Sequence, residues 1–263
     1  MRNPVISLLT DFGSADHYVA AMKGVILGIC PKARLVDISH EITPYAVAEA
    51  GYTLAQAWRC FPAGTVHLVV VDPGVGSSRR PILAEADGHR FVAPDNGVLT
   101  MAIGGAAGVR VREITASRYF RKPVSQTFHG RDIFAPVAAH LAAGVPAAKF
   151  GRLVDDYVRL HGACPRRVSA REWAVEVLKI DRFGNIVTNL DWDTWQRIVR
   201  GPFEVRIGAQ KVSHLALSYA EGSEEEPFLI RGSAGYVEIS INRGSAAEVL
   251  GVEAGSPIKL LLL

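Results

Sequence analysis

Three places in this sequence set acidic, basic and imidazole side chains where a folded chain can do chemistry. The first is the apolar, β-branched run Val66-His67-Leu68-Val69-Val70-Val71, which ends in Asp72-Pro73-Gly74. Proline lacks an N–H and glycine opens unusual backbone angles, so the strand stops and Asp72 stands at its exit, with Arg79 seven residues on. A carboxylate held ionised by a guanidinium can accept a proton from water. An aspartate at a strand end can equally cap backbone amides and leave nearby arginines solvated. Both readings stay open on these residues alone. The second place is a strand-to-helix junction flanked by Asp11 and Asp16, where Asp16 also suits the positive end of a helix dipole. The third is His129, just ahead of an apolar helix, with Asp132 beside it. Two such groups without a third ligand do not define a metal site, nor does His40-Glu41, which lacks a partner one helical turn away. No metal is expected. Gly74 and Gly76 give G-x-G but no third glycine, no Gly-Lys-Ser/Thr follows, and Arg80 to Ala86 continues as a strand. A phosphate-cradling loop is therefore set aside.

The elements that must position these residues follow from periodicity. Val5–Leu9, Arg34–Ile38 and Val66–Val71 are strands, separated by a helix with apolar Val19, Met22, Val25, Ile26 and Ile29 and by a second helix from about residue 46 to 61. This βαβαβ order predicts an α/β N-terminal domain, residues 1–160, with a mostly parallel sheet flanked by helices. Ligands in such sheets bind beyond the carboxyl ends of strands, where Asp11 and Asp72 lie. Periodicity fades over about residues 151–171, where Cys164-Pro165-Arg166-Arg167 reads as a linker. Beyond it, short strands separated by turns such as Asp181-Arg182-Phe183-Gly184-Asn185 and Gly232-Ser233-Ala234-Gly235 predict a small all-β, barrel-like C-terminal domain over 170–263.

Composition narrows the classes. The chain has 263 residues, 49% hydrophobic and 21% charged, an ordinary globular balance. A net charge of +3 gives no footprint for nucleic acid. Cys30, Cys60 and Cys164 cannot all pair and form no C-x-x-C, so reduced thiols and a cytoplasmic location are expected. Met1-Arg2-Asn3-Pro4 leads straight into a strand without the shape of a secretion signal. The apolar tail Ile258–Leu263 is far too short to span a bilayer and reads as a last core strand.

Four stretches taken together are specific: Leu9-Thr10-Asp11-Phe12-Gly13; Val71-Asp72-Pro73-Gly74-Val75-Gly76 with Arg79; Phe128-His129-Gly130-Arg131-Asp132; and Asp181-Arg182-Phe183-Gly184-Asn185-Ile186-Val187-Thr188-Asn189. With Ala93-Pro94-Asp95-Asn96-Gly97 between them, the chain resembles the S-adenosyl-L-methionine hydroxide adenosyltransferases, water-using relatives of the fluorinase and chlorinase enzymes. The resemblance runs through nearly the whole chain in order. It implies hydrolysis of S-adenosylmethionine to adenosine and methionine by water attacking C5′. It implies a catalytic set matching Asp72, Arg79 and His129. It implies a ribose-binding aspartate at Asp11, an aromatic near the ribose at Tyr45, and adenine and methionine contacts at Asp181, Phe183, Asn185, Ser233 and Glu238; Asp16 joins the substrate-binding set by its place at the first junction. No cofactor follows, because S-adenosylmethionine is the substrate. The small molecule is the expected partner, with no nucleic acid and no membrane, and the resemblance points to a homotrimer with sites between subunits. The halogenating relatives carry a non-acidic residue where this chain has Asp72, and a hydroxyl-bearing one where it has Gly130. A carboxylate at 72 repels a halide while accepting a proton from water. A 5′-halogenase and a nucleoside-binding protein without turnover are the alternatives.

Overall fold

The computed structural model describes residues 3–160, 162 and 164–263. Met1 and Arg2, in the stretch read as leading into the first strand, and His161 and Ala163, in the stretch where periodicity fades, lie outside the described residues. The chain divides into two compact units, Met1–Leu160 and His161–Leu263.

The first unit is a seven-stranded sheet. Its strands are β1 (Val5–Thr10), β2 (Arg34–Ser39), β3 (Val66–Val70), β4 (Pro81–Ala86), β5 (His89–Pro94), β6 (Arg110–Glu113) and β7 (Leu153–Val154), in the order β2-β1-β3-β5-β4-β6-β7. Helices α1 (Tyr18–Ile29), α2 (Val47–Ala57), α3 (Thr100–Ile103) and α4 (Ala135–Ala142) accompany it. Two apolar clusters sit on the sheet. One packs Ile6, Leu8, Leu68 and Val70 against Met22 and Ile26 of α1 and Ala135 and Ala138 of α4. The other packs Leu9, Val69 and Val71 against Ala50 and Leu54 of α2. β3 is buried throughout because it is covered on both faces, as its unbroken apolar run requires.

The expectation of a mostly parallel sheet is corrected. β2, β1, β3 and β5 pair in parallel, whereas β5–β4, β4–β6 and β6–β7 are antiparallel. The sheet is mixed. The cause is local: Asp87 and Gly88, both at positive φ, join β4 to β5 as a two-residue hairpin. Asp-Gly is a strong hairpin signal, and two residues leave no room for the crossover a parallel pair needs. The parallel half carries the junctions with Asp11 and Asp72.

The second unit is a mainly antiparallel sheet. Its strands are β8 (Arg166–Arg167), β9 (Glu172–Ile180), β10 (Ile186–Asp191), β11 (Phe203–Ile207), β12 (Gln210–Val212), β13 (Leu215–Ala216), β14 (Phe228–Arg231), β15 (Tyr236–Ser240) and β16 (Pro257–Leu262). They follow the path β12-β11-β16-β9-β10-β15-β14-β13, with β8 on β9. The path is open between its ends, and it is not all-β. Helices α5 (Trp192–Ile198) and α6 (Ala246–Leu250) were not expected. Each is announced by a cap: Asp191 accepts the Thr194 N–H at 2.8 Å, and Ser245 accepts that of Glu248 at 3.2 Å. Nor is the stretch 151–171 featureless, since β7 pairs with β6 and β8 with β9. Arg80 also holds Asp156 at 2.9 Å, and Asp95 accepts the Val158 N–H at 2.8 Å. Among the described residues, no helix is long and apolar enough to cross a membrane.

Candidate active site

The exits of β1 and β3 converge on a cavity of about 320 Å³ lined by Asp11, Phe12, Tyr45, Asp72, Phe128 and His129 among others. The loop after β3 is what returns Arg79 to Asp72. Two consecutive turns close it, Val75 N–H to Asp72 C=O at 3.2 Å and Ser77 N–H to Gly74 C=O at 3.1 Å, and Ser77 Oγ then accepts the Arg79 N–H at 3.2 Å. Gly76 is required here: its φ is +77°, and a Cβ would stand 2.5 Å from the Gln126 carbonyl oxygen. Asn96, in the turn after β5, donates to the Val71 carbonyl at 2.9 Å and so fixes the residue before Asp72.

Asp72 and Arg79 form a two-pronged ion pair. Arg79 Nε donates to Oδ1 at 3.0 Å and Nη2 donates to Oδ2. Both side chains are more than nine-tenths buried, at 5% and 7% exposure, so solvent screens the pair little. The same Nη2 donates to His129 Nδ1 at 3.2 Å, and the guanidinium lies 5.2 Å over the ring of Phe134. An arginine only donates, so His129 Nδ1 is the acceptor and the ring proton sits on Nε2. Burial depresses the His129 pKa, the Arg79 cation depresses it further, and Asp72 and Asp132 oppose both. The imidazole is neutral. Arg79 Nη1 is buried with no partner.

Asp11 Oδ2 accepts the Tyr45 N–H at 2.9 Å. Desolvation raises the Asp11 pKa, hydrogen bonds from backbone amides oppose the rise, and the nearby Asp72 charge adds to it. Tyr45 adopts φ +68° and is 71% exposed. A tyrosine in the left-handed region is strained, and here the strained backbone turns its amide to Asp11. Asp16 is not brought to this cavity. It is exposed on the turn before α1, whose first turn contains no acid.

The remaining candidates gather in the second unit. Asp181, Phe183, Asn185, Ser233 and Glu238 all line one cavity of about 670 Å³. Asp181 is spent on building its turn: Oδ1 accepts the N–H groups of Phe183 and Asn185 at 2.8 and 2.9 Å, and Oδ2 accepts Asn185 Nδ2 at 2.9 Å. The turn projects Phe183, 78% exposed, as a flat apolar platform. Glu238 accepts the Tyr219 hydroxyl at 3.0 Å, and burial raises the Glu238 pKa. Gly232 makes this possible, since a Cβ there would collide with the Glu238 carboxyl.

Two features were missed in the sequence. One is the aromatic wall of the first cavity, Phe12, Tyr18 and Phe128, with Tyr18–Phe128 edge-to-face at 5.1 Å. The other is Tyr219, whose hydroxyl is partly desolvated beside Glu238, which pushes its pKa up to about 12 although the residue as a whole is half-exposed. Neither has a motif; Phe12 and Phe128 lie inside quoted stretches, but their mutual contact is tertiary. Among the described residues, no group of three or more His, Cys, Asp and Glu could hold a metal ion.

Fold and site define a class: a two-unit protein with a carboxylate–guanidinium–imidazole set at the strand exits of a mixed α/β sheet and an aromatic-bearing turn in a β-rich second unit. Residues 6–151 match the profile of the SAM hydroxide adenosyltransferase N-terminal domain, and residues 175–259 that of its C-terminal domain. The chain belongs to this family. It is 38% identical to the (R)-S-adenosyl-L-methionine hydrolase of Salinispora tropica, over 98% of this chain and 97% of that one. The fluorinase of an Actinoplanes species is more distant, at 28% identity over 96% of each. Among solved structures, an uncharacterized conserved protein from Thermotoga maritima matches with a TM-score of 0.85 and 40% identity, over 97% of this chain and 99% of that one.

Proposed function

We propose that this chain hydrolyses (R)-S-adenosyl-L-methionine to adenosine and L-methionine, by attack of water on C5′. The observation that carries this reading is the Asp72–Arg79–His129 set, built on a buried ion pair. Each carboxylate oxygen has two lone pairs, and Arg79 occupies one on each, so the others remain for a water molecule. The water oxygen forms the bond to C5′ as the C5′–S bond breaks. The electron pair goes to sulfur, which leaves as the neutral thioether of methionine, and the water proton passes to Asp72 and then to solvent. Because the leaving group is neutral, no general acid is needed. Charge is annihilated as a hydroxide-like oxygen meets a sulfonium, which favours a buried, water-poor setting. The neutral His129 offers Nε2–H to hold the oxygen, and Arg79 Nη1–H is a further fixed donor.

The sulfonium configuration comes from the name of the Salinispora relative, so selectivity between the two epimers is part of the proposal. Halide attack is disfavoured because Asp72 sets a buried anion where the halide would sit. The substrate-binding residues are proposed to be Asp11 and Tyr45 toward the ribose, and Phe183, Asn185, Ser233 and Glu238 toward the adenine and methionine, with Asp181 shaping their turn. The test supplies each epimer in ¹⁸O-water, with and without halide. Adenosine labelled at its 5′ oxygen, formed from the (R) epimer and unaffected by halide, is the expected product. Unlabelled adenosine overturns attack at C5′, and a halogenated nucleoside overturns hydrolysis.

A further inference from the structure

The loop that carries His129 is held by a group outside the reacting set. After His129 the chain makes a π-helical turn, Gly130–Phe134, before α4 begins. Such turns are rare and gather at functional sites. Inside this one lies Asp132, whose side chain is 0% exposed. A fully buried carboxylate persists only if its oxygens are satisfied, and here they are crowded. Arg131 donates in two-pronged fashion at 2.7 and 2.8 Å, Arg121 Nη1 at 3.1 Å, and the Ser125 N–H at 2.9 Å. Burial alone raises its pKa, but the bonds from Arg131, Ser125 and Arg121 prevail and hold it below the usual carboxylate range.

The main chain of Asp132 is used as well. Pro136, four residues on, has no N–H for the Asp132 carbonyl. The Arg121 N–H fills that place at 2.9 Å. Side chain and backbone of one residue therefore grip segment 121–125 three times. The grip is passed on: Ser125 Oγ accepts the Thr127 N–H at 3.3 Å, and Thr127, Phe128 and His129 line the cavity. The Asp132 N–H itself donates to the Phe128 carbonyl at 3.2 Å. Arg131, fixed on Asp132, lies 4.9 Å over the Phe128 ring.

We infer that Asp132 is a positioning residue for the hydrolysis: by clamping segment 121–128 to the π-helical turn it sets His129 against Arg79 and Phe128 against the cavity. Asp132 does not line the cavity, so it acts through its neighbours. The inference rests on the reading of His129 as part of the reacting set.

The test compares Asp132→Asn with wild type in steady-state kinetics and in an NMR titration of the histidine rings, with His129 assigned by its loss in His129→Gln. The amide keeps the shape but weakens the grip on both arginines. Expected is a kcat lower by about 10- to 100-fold, the scale of a small misplacement of a reacting group, with KM changed much less. The titration separates positioning from a purely electrostatic effect of the lost charge. The groups facing His129 are the Arg79 cation and the anions Asp72 and Asp132, and Asp132 favours the imidazolium. Losing the Asp132 charge by itself moves the His129 midpoint to lower pH, whereas a ring that slips from the Arg79 cation moves to higher pH, and the inference expects the rise. Wild-type kcat, or a midpoint unchanged or lowered, overturns the inference. If Asp132→Asn does not fold, Arg121→Met removes one arm at a half-exposed position, and its kcat is expected to fall several-fold; an unchanged kcat there overturns the inference too. If His129→Gln keeps full activity, the reading of His129 has failed; if it is inactive while Asp132→Asn is not, only the inference has.

Discussion

Asp72 is asked to be ionised, oriented and nearly dry at once, and the two-pronged bond from Arg79 is what makes these compatible. Asp72→Asn keeps the shape and removes the proton acceptor. General-base catalysis is worth about 100- to 10,000-fold, so turnover is expected to fall by that order while adenosine binding measured by calorimetry stays near wild type. Near-native turnover in the variant rules out the general base. His129 gives a second check at this scale. Its pKa is depressed, so the neutral ring that accepts from Arg79 survives below pH 6.5 and is lost only as pH falls through the lowered value. The acid limb of activity is therefore expected to lie below 6.5; a limb centred at 6.5 would show that Arg79 and burial do not act on the ring as described. Much of this site was legible because the chemistry-bearing residues stand beside Pro or Gly at strand ends: Asp72 before Pro73-Gly74, Asp11 before Phe12-Gly13. Arg79 and His129 stood out as separate candidates, but their joining into one set was legible only through resemblance, since nothing in one sequence says that residue 129 returns to residue 79. Asp16 stands exposed in the bend before α1, outside the first cavity.

At the scale of elements, the parallel strands β1, β2 and β3 could be read from apolar runs and helical spacing, while the antiparallel half could not be read from runs alone. Its direction is set by the hairpin at Asp87-Gly88, two residues whose positive φ outweighs any helix-sized spacing. The loop after β3 makes the same point at the site. Gly76→Ala forces a side chain into the left-handed region and against the Gln126 carbonyl, costing about 1–3 kcal/mol in backbone strain alone. The expected outcome is a lower melting temperature together with lower kcat, because the displaced loop carries Arg79; a variant with native kcat would show that the loop tolerates the shift. Farther along these same strands lies a polar chain with no part in the proposed reaction: Ser7 Oγ to His67 Nδ1 at 2.7 Å, and His67 Nε2 to His89 Nδ1 at 3.1 Å. His67 is fully buried and stacked on Phe91 at 4.9 Å, and burial, with the neighbouring His89, pushes its pKa down to about 3. The unfolded chain takes up a proton near pH 6.5 that the folded chain refuses until about 3. Stability is thus full above 6.5 and falls by up to about 1.4 kcal/mol per pH unit below it. Denaturant titrations of His67→Gln at pH 7 and pH 4.5 are expected to show a flatter acid loss than wild type, and equal slopes would assign the acid sensitivity to other groups.

For the whole molecule, the proposed substrate contacts fall into two groups, each complete within its own unit: Asp11, Tyr45, Asp72 and His129 around one cavity, and Phe183, Asn185, Ser233 and Glu238 around another. Under the proposed function, S-adenosylmethionine is expected to touch both groups at once. Each cavity also leaves apolar surface uncovered, with Tyr45 and Val75 in the first unit and Phe183 and Tyr219 in the second among the exposed large side chains. Family resemblance points to a homotrimer whose sites lie between one subunit's first unit and the next subunit's second. A head-to-tail contact of that kind closes into a ring when its rotation fits, and so leaves no free end. Complementation tests it directly. Asp72→Asn lacks the proton acceptor but keeps an intact second unit, whereas Asn185→Ala damages the second unit's turn and keeps the reacting set. Neither variant alone should turn over appreciably. When the two are dissociated, mixed in equal amounts and reassembled, some sites pair an intact first unit with an intact second unit from the neighbouring chain, and activity returns in part. Sites built within one chain would each carry one of the two lesions, and no mixing could restore them. Recovery of activity, together with a trimeric mass by light scattering, is the expected result; a fully active monomer or a mixture as inactive as its components would overturn the shared site.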